Sequence, residues 1–191
     1  VRMKSRRQVF LFGFLKTLPF QSGVIPFGLL FATLAKAIGF PWWITLLLSI
    51  VVFGGSSQLV FVDLMQTLAS PLQAVLGSNI VNARHLIYSA GVSHRYATFP
   101  QGWRIFLSYF LTDQLFAVSE SEKEKIDQMP TTHIPWFYFG SGFCTWIFWV
   151  FSTALGIGFG HIVPDSWNLS FSIPLMFMPL VFSVAKNRAA A

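Results

Sequence analysis

The chain has 191 residues, of which 54% are hydrophobic and 10% charged, with a mean hydropathy of +0.60. A soluble domain carries roughly 25% charge, so this composition excludes disorder, a coiled coil and an ordinary soluble globule. With 13 Lys and Arg and 7 Asp and Glu, too few charges exist to cover a globule of this size, and much of the surface is expected to face lipid.

The net charge of +6 would suggest a nucleic-acid partner if it formed a basic face. Instead Arg2, Lys4, Arg6 and Arg7 precede the first apolar run, the arrangement that holds an N-terminus in the cytoplasm. That run lacks a short apolar core ending in a small-residue cleavage site, so it is expected to remain as a span. Cys144 is the single cysteine and sits in an apolar stretch, leaving no disulfide framework and no thiolate metal site.

Most charges fall in short windows: 2–7, Arg95 and Arg104, 120–127, Asp165, and Lys186 with Arg188. Between them run apolar stretches near the ~20 residues that a bilayer requires. They predict a single all-α polytopic membrane domain over 1–191, with about six transmembrane helices near 18–38, 43–67, 72–92, 104–119, 136–160 and 169–185. Gly39-Phe40-Pro41, Ala69-Ser70-Pro71 and Val163-Pro164-Asp165 supply turns. Trp42, Trp43, Trp103, Trp136 and Trp167 lie near span ends, as aromatic belts do. With the N-terminus cytoplasmic, eight Lys and Arg fall inside and three, Lys36, Arg95 and Arg104, fall outside, a bias that supports this orientation. Arg95 and Arg104 in one outer loop work against it, and a re-entrant second segment would reverse that loop.

In the first span, Pro19, Gln21-Ser22-Gly23, Pro26 and Gly28 predict a break, with a kinked, closely packed helix as the alternative. Lys16 and Lys36 lie near its ends and can snorkel to the interface. The second span is interrupted by Gly54-Gly55-Ser56-Ser57-Gln58. A half-helix restarting at Ser56 would present free N–H groups to an anion such as a carboxylate. Asp63 is near that span's end and can reach the interface.

The third span carries Ser78, Asn82, His85 and Ser89 at helical spacing, flanked by Asn79 and Arg84. Such a stripe is expected to face other helices or a solvated path; interhelical hydrogen bonding is the plain alternative. Arg84 and Asp113 lie at mid-span, where a lone charge costs ~2.5–3.5 kcal/mol or more. They are therefore expected to be neighbours, either as an architectural ion pair or, with His85, as a proton relay.

Glu120 to Asp127 reads as a solvated mixed-charge loop. Ser152, Gly156 and Gly160 repeat every four residues as a helix-packing surface. His94, His133 and His161 have no partner spacing, and no phosphate-binding, zinc-binding or nucleophile motif occurs. No metal, cofactor or catalytic residue is expected.

Pro26-Phe27-Gly28 with Gly39, Gly55-Ser56-Ser57-Gln58, Asn82-Ala83-Arg84-His85-Leu86-Ile87-Tyr88 and Leu111-Thr112-Asp113-Gln114-Leu115-Phe116 occur in this order. Together they resemble the AzlC family of bacterial branched-chain amino acid permeases, which includes the YgaZ-type exporters. The resemblance covers residues 17–120 well and rests on hydropathy beyond 135. It implies a location in the bacterial cytoplasmic membrane and export of valine, leucine, isoleucine or methionine. It also implies a small membrane partner of the AzlD or YgaH type. Chains of that family continue several tens of residues further, so this one is expected to be either a short member or to lack C-terminal helices.

The expected function is secondary export of hydrophobic amino acids, with proton coupling as a scheme that Asp113 and His85 offer. Candidate substrate-binding residues are Gly55, Ser56, Ser57, Gln58, Asn82 and Arg84. Candidate ion-pair or relay residues are Arg84, His85 and Asp113. The alternative is a non-transporting scaffold or regulatory subunit of a two-component membrane complex.

Overall fold

The computed structural model describes residues 5–159, and these are helical with no strand. In order the helices are α1 (Arg6–Thr17), α2 (Gln21–Ala37), α3 (Trp42–Val51), α4 (Gly55–Gln66) and α5 (Pro71–Asn82). They continue with α6 (Arg84–Tyr96), α7 (Gln101–Tyr109), α8 (Asp113–Ser121), α9 (Lys123–Asp127) and α10 (Ile134–Phe159). The span expected at 169–185 lies outside the described residues, as do Arg2 and Lys4.

Two helical stretches are long and apolar enough to cross a bilayer, 32 residues from Arg6 to Ala37 and 26 from Ile134 to Phe159. The others are shorter because their spans are interrupted. The second span breaks between Val51 and Gly55, as the glycines predict. The first does not break at Gly23 or Pro26. A single 3-10 turn at Leu18–Phe20 joins α1 to α2, and α2 runs on through Pro26, losing only one hydrogen-bond donor. Helix also begins at Arg6, well before residue 18.

The third and fourth spans carry interruptions that hydropathy hides. Ala83 separates α5 from α6, so the stripe from Ser78 to Ser89 is not one continuous helical face. Residues 110–112 separate α7 from α8, where Thr112 caps α8 by accepting from Leu115 N–H at 3.4 Å. The mixed-charge segment 120–127 is the end of α8 followed by α9, not a loop.

The described chain divides into two compact units. One contains residues 5–21 and 85–146: α1, α6 to α9 and the first part of α10. Its core includes Val9, Leu107, Leu115, Val118, Ile126 and Phe137. The backbones of α1 and α10 almost touch there. A Cβ on Gly140 would lie 2.1 Å from the Phe10 carbonyl oxygen, and one on Gly13 2.3 Å from that of Phe137. Only glycine permits this approach, which small-residue packing between apolar helices exploits. Thr17 and Ser141 hydroxyls meet at 2.6 Å beside it.

Ion pairs fasten the α8–α9 corner of the same unit. Glu122 takes Lys16 and Lys125 at 2.6 Å each, and Arg95 reaches Asp127 at 3.0 Å and Glu120 at 3.6 Å. Burial pulls the Glu122 carboxyl upward, but hydrogen bonds from Lys125 and Lys16 outweigh it and hold the group below its usual 4.5.

The other unit contains residues 22–84 and 147–159: most of α2, then α3 to α5 and the last part of α10. Phe27 and Phe31 pack against Trp149 with ring centroids 6.0 and 6.1 Å away. Ser152 and Gly156 do serve as a packing surface. A Cβ on Gly28 would fall 2.0 Å from the Ser152 hydroxyl, and one on Gly156 2.6 Å from Ala32 Cβ. Gly160 lies outside the described residues.

One order of parts occurs twice along the chain. Ser5 and Ser70 each form a capping box with a glutamine three residues on, Gln8 and Gln73. Each opens a helix that is interrupted thirteen residues later, at Leu18 and Ala83. After α2 and α6 come Phe40-Pro41 and Phe99-Pro100, whose prolines cap α3 and α7 with near-identical backbone angles, −58/145° and −53/145°. A break and a second half-helix follow in both, bearing Ser57-Gln58-Leu59 in α4 and Asp113-Gln114-Leu115 in α8. Each compact unit holds the first helix of one run with the other three of the other: α1 with α6, α7 and α8, and α5 with α2, α3 and α4.

Two outcomes follow. Gly140→Ala should destabilise the detergent-solubilised protein by ~1–3 kcal/mol in denaturant unfolding, while Gly102→Ala, with open space around it, should not. Because the folded Glu122 pKa lies below the unfolded one, its stabilisation is present above about 4.5 and is lost as pH falls through the folded value. The melting temperature should therefore drop below pH ~4.5, and Glu122→Gln should flatten that drop.

Candidate functional site

The interruption of the second span is built by backbone chemistry. Phe53 adopts φ +45°, a left-handed conformation unusual for a bulky residue, and Gly54 follows at −127/73°. This turn stops α3 and aims α4 afresh. The first intrahelical bond of α4 runs from Gln58 N–H to the Gly54 carbonyl at 2.8 Å, so the N–H groups of Gly55, Ser56 and Ser57 precede the ladder. No side chain caps them.

The polar side chains here divide their work. Ser57 donates to the Gly54 carbonyl at 2.7 Å. Gln58 accepts from Gly54 N–H at 3.2 Å and donates to Ser49 at 3.4 Å, and Ser49 pairs with Thr153 at 2.9 Å. Ser57 and Gln58 are 1% and 3% exposed. Their hydrogen bonds hold the break itself, replacing bonds that a continuous helix would have made.

Ser56 is half-buried and turned elsewhere: Arg84 Nη2 donates to its hydroxyl at 3.1 Å. Gly55 lies against aromatic rings, since a Cβ there would meet Trp149 at 3.1 Å and Phe27 at 3.2 Å. Asn82 comes to the same place, with its Oδ1 3.5 Å from where a Gly54 Cβ would stand. Gly55, Ser56, Ser57, Gln58, Asn82 and Arg84 thus gather within one unit. Uncapped N–H groups and a guanidinium make the locus electropositive, and Phe27 and Trp149 give it an apolar wall.

His85 and Asp113 belong to the other unit. Asp113 opens α8, is 7% exposed, and accepts a hydrogen bond from the Tyr88 hydroxyl. The Tyr88 ring stacks on Phe116 at 4.9 Å and meets His85 edge-on at 5.7 Å. A carboxylate, a phenol and an imidazole therefore stand in sequence across α6 and α8. Of these, Tyr88 had no role in the sequence reading. Its spacing three residues after His85, on one helix face within an apolar span, is the signal that marks it. Asp63 is exposed near the end of α4. Among the described residues no three His, Cys, Asp or Glu side chains gather to hold a metal ion.

Interrupted apolar helices, glycine-mediated packing and buried polar groups spent on the breaks and on contacts between helices define an all-α membrane protein. The AzlC protein family model matches residues 19–163, and the chain belongs to that family. It is 29% identical to an uncharacterized membrane protein of Archaeoglobus fulgidus over 96% of this chain and 80% of the relative. It is 24% identical to the branched-chain amino acid transport protein AzlC of Bacillus subtilis, over 92% of this chain and 69% of the relative. Against the inner membrane protein YgaZ of Escherichia coli the identity is 25%, over 91% and 72%. No solved structure matches.

If Gln58 holds the break, Gln58→Leu should cost ~1–3 kcal/mol in unfolding experiments by stranding the buried Gly54 N–H. Ser56→Ala, which removes only the acceptor for Arg84, should leave stability nearly unchanged.

Proposed function

We propose that this chain is a secondary exporter of branched-chain or other hydrophobic amino acids in the bacterial cytoplasmic membrane, with its N-terminus in the cytoplasm. The observation that carries the reading is the uncapped start of α4 with Arg84 on Ser56 and the Phe27 and Trp149 rings beside Gly55. The substrate carboxylate rests on the N–H groups near Ser56 and on Arg84, and its aliphatic side chain meets the aromatic wall. The name of the Bacillus subtilis relative, a branched-chain amino acid transport protein, supports the same substrate class. A small membrane subunit of the AzlD or YgaH type completes the transporter.

Coupling to protons runs through His85, Tyr88 and Asp113. The Tyr88–Asp113 hydrogen bond and the His85–Tyr88 ring contact support a path along which a proton is handed between titratable groups. The carboxylate takes the proton in one state and returns it in the other, with Tyr88 holding its orientation.

The test is efflux of labelled leucine and valine from cells producing the chain with and without an AzlD-type partner. Arg84→Ala should weaken apparent substrate affinity roughly 10–100-fold, the worth of a charge-assisted hydrogen bond, and Arg84→Lys should retain part of it. Unchanged flux in Arg84→Ala would sink the binding scheme. Unchanged proton dependence in both Asp113→Asn and His85→Ala would remove the coupling scheme. If no flux appears with any partner while the partner's assembly depends on this chain, it is a scaffold subunit instead.

A further inference from the structure

The corner between α6 and α7 forms an open cavity of about 400 Å³, contained within one compact unit and lined by exposed polar side chains. Ser89 and Ser93 line it from α6, Arg104 and Ser108 from α7, and buried Val92 and Leu111 close its floor. Three cations of this unit have carboxylate partners, Lys16 and Lys125 on Glu122 and Arg95 on Asp127 and Glu120. Arg6, Arg7 and Lys123 stand with Arg104 outside any ion pair among the described residues. The first turn of α7 contains no acidic residue, and Pro100 offers its N–H groups no side-chain cap. Both features leave the cavity electropositive.

The twofold order of parts shows that this polarity is not a requirement of the fold. Counting from Pro100 and Pro41, the positions of Ser89, Ser93 and Ala97 correspond to Leu30, Leu34 and Ile38. Arg104 corresponds to Thr45, which is 1% exposed and returns its hydroxyl to the Pro41 carbonyl at 3.3 Å. At these places the first corner carries leucine, isoleucine and threonine with no charge; its Ser49 matches Ser108, and its cation, Lys36, stands at the position of Arg95. The second corner carries Ser89, Ser93 and the Arg104 guanidinium where the first has Leu30, Leu34 and Thr45.

Two of the three lining serines have their hydroxyl hydrogens committed. Ser93 donates to the Ala90 carbonyl and Ser108 to the Arg104 carbonyl, each at 2.7 Å. Their oxygens remain as acceptors. The lining thus offers one cation, acceptors for a ligand's O–H or N–H, and an aliphatic rim at Ile105, which is 68% exposed.

We propose that the α6–α7 cavity binds a small amphiphile through an anionic phosphate or carboxylate on Arg104, with adjacent hydroxyl or ammonium groups donating to Ser93 and Ser108. Two sources share this chemistry: the headgroup of an anionic phospholipid, and a free aliphatic amino acid.

The experiment measures melting of the purified chain in neutral detergent with phosphatidylglycerol, phosphatidylcholine or leucine added. Phosphatidylglycerol or leucine should raise the melting temperature by roughly 5 °C near saturation, and whichever does so identifies the source. Phosphatidylcholine, whose headgroup has no donor, should do less. The shift should vanish in Arg104→Gln and survive in part in Arg104→Lys. Ser93→Leu should also abolish it, and it should fold, because the first corner holds Leu34 at that position. Shifts that are absent, or that are the same size in wild type, Arg104→Gln and Ser93→Leu, overturn the proposal. Melting requires no flux, so a failure of the transport reading leaves this result standing.

Discussion

A helix in an apolar setting can be interrupted only where something replaces the backbone hydrogen bonds that the interruption removes. This constraint shapes nearly every feature of the chain. At the second span the replacement is local: Ser57 satisfies the Gly54 carbonyl, and Gln58 satisfies the Gly54 N–H while reaching Ser49. At the fourth span Thr112 takes up the Leu115 N–H. At Ala83 the disturbance is slight, and one N–H is shared between the Asn79 and Ile80 carbonyls. Leu18–Phe20 tightens into a 3-10 turn instead.

The same constraint separates polar residues that hold the fold from those that remain for chemistry. Ser57 and Gln58 are consumed by the break, although their sequence context equally suggests ligand contacts. Ser56, one position away, instead meets Arg84. Thr17, Gln21, Ser141 and Thr145 are likewise spent on joining helices within their unit, where two glycines bring α1 and α10 almost into backbone contact. A hydroxyl in an apolar helix is usually structural, and its hydrogen-bond partners decide the matter.

Much of the fold was legible from composition and punctuation. The break at Gly54-Gly55 follows from two glycines and two serines in an apolar run, and the turns at Gly39-Phe40-Pro41 and Ser70-Pro71 follow from proline and glycine. The interruptions at Ala83 and at 110–112 were not, because alanine, phenylalanine and leucine are compatible with continuous helix. Only Thr112-Asp113, an N-cap pair inside a hydrophobic segment, signals the second of them. The helical nature of 120–127 was masked by its charge: Glu122 and Lys125 stabilise that corner by pairing with one another and with Lys16. The duplicated order of parts escaped the sequence reading too. Its markers are two capping boxes and two Phe-Pro pairs, and they become a pattern only when the interruptions align between them.

By itself the sequence determined that this is an all-helical membrane chain, where the second span breaks, and which few polar residues a lipid setting leaves to be explained. Hydropathy and charge suffice for this, because lipid penalises each exposed polar group locally. The tertiary structure decided the partners: Arg84 with Ser56, Tyr88 with Asp113, Arg95 with Asp127. It also decided that α1 groups with α6, α7 and α8, and α5 with α2, α3 and α4. Such groupings depend on close approaches between segments far apart in the chain, which periodicity along one segment does not encode.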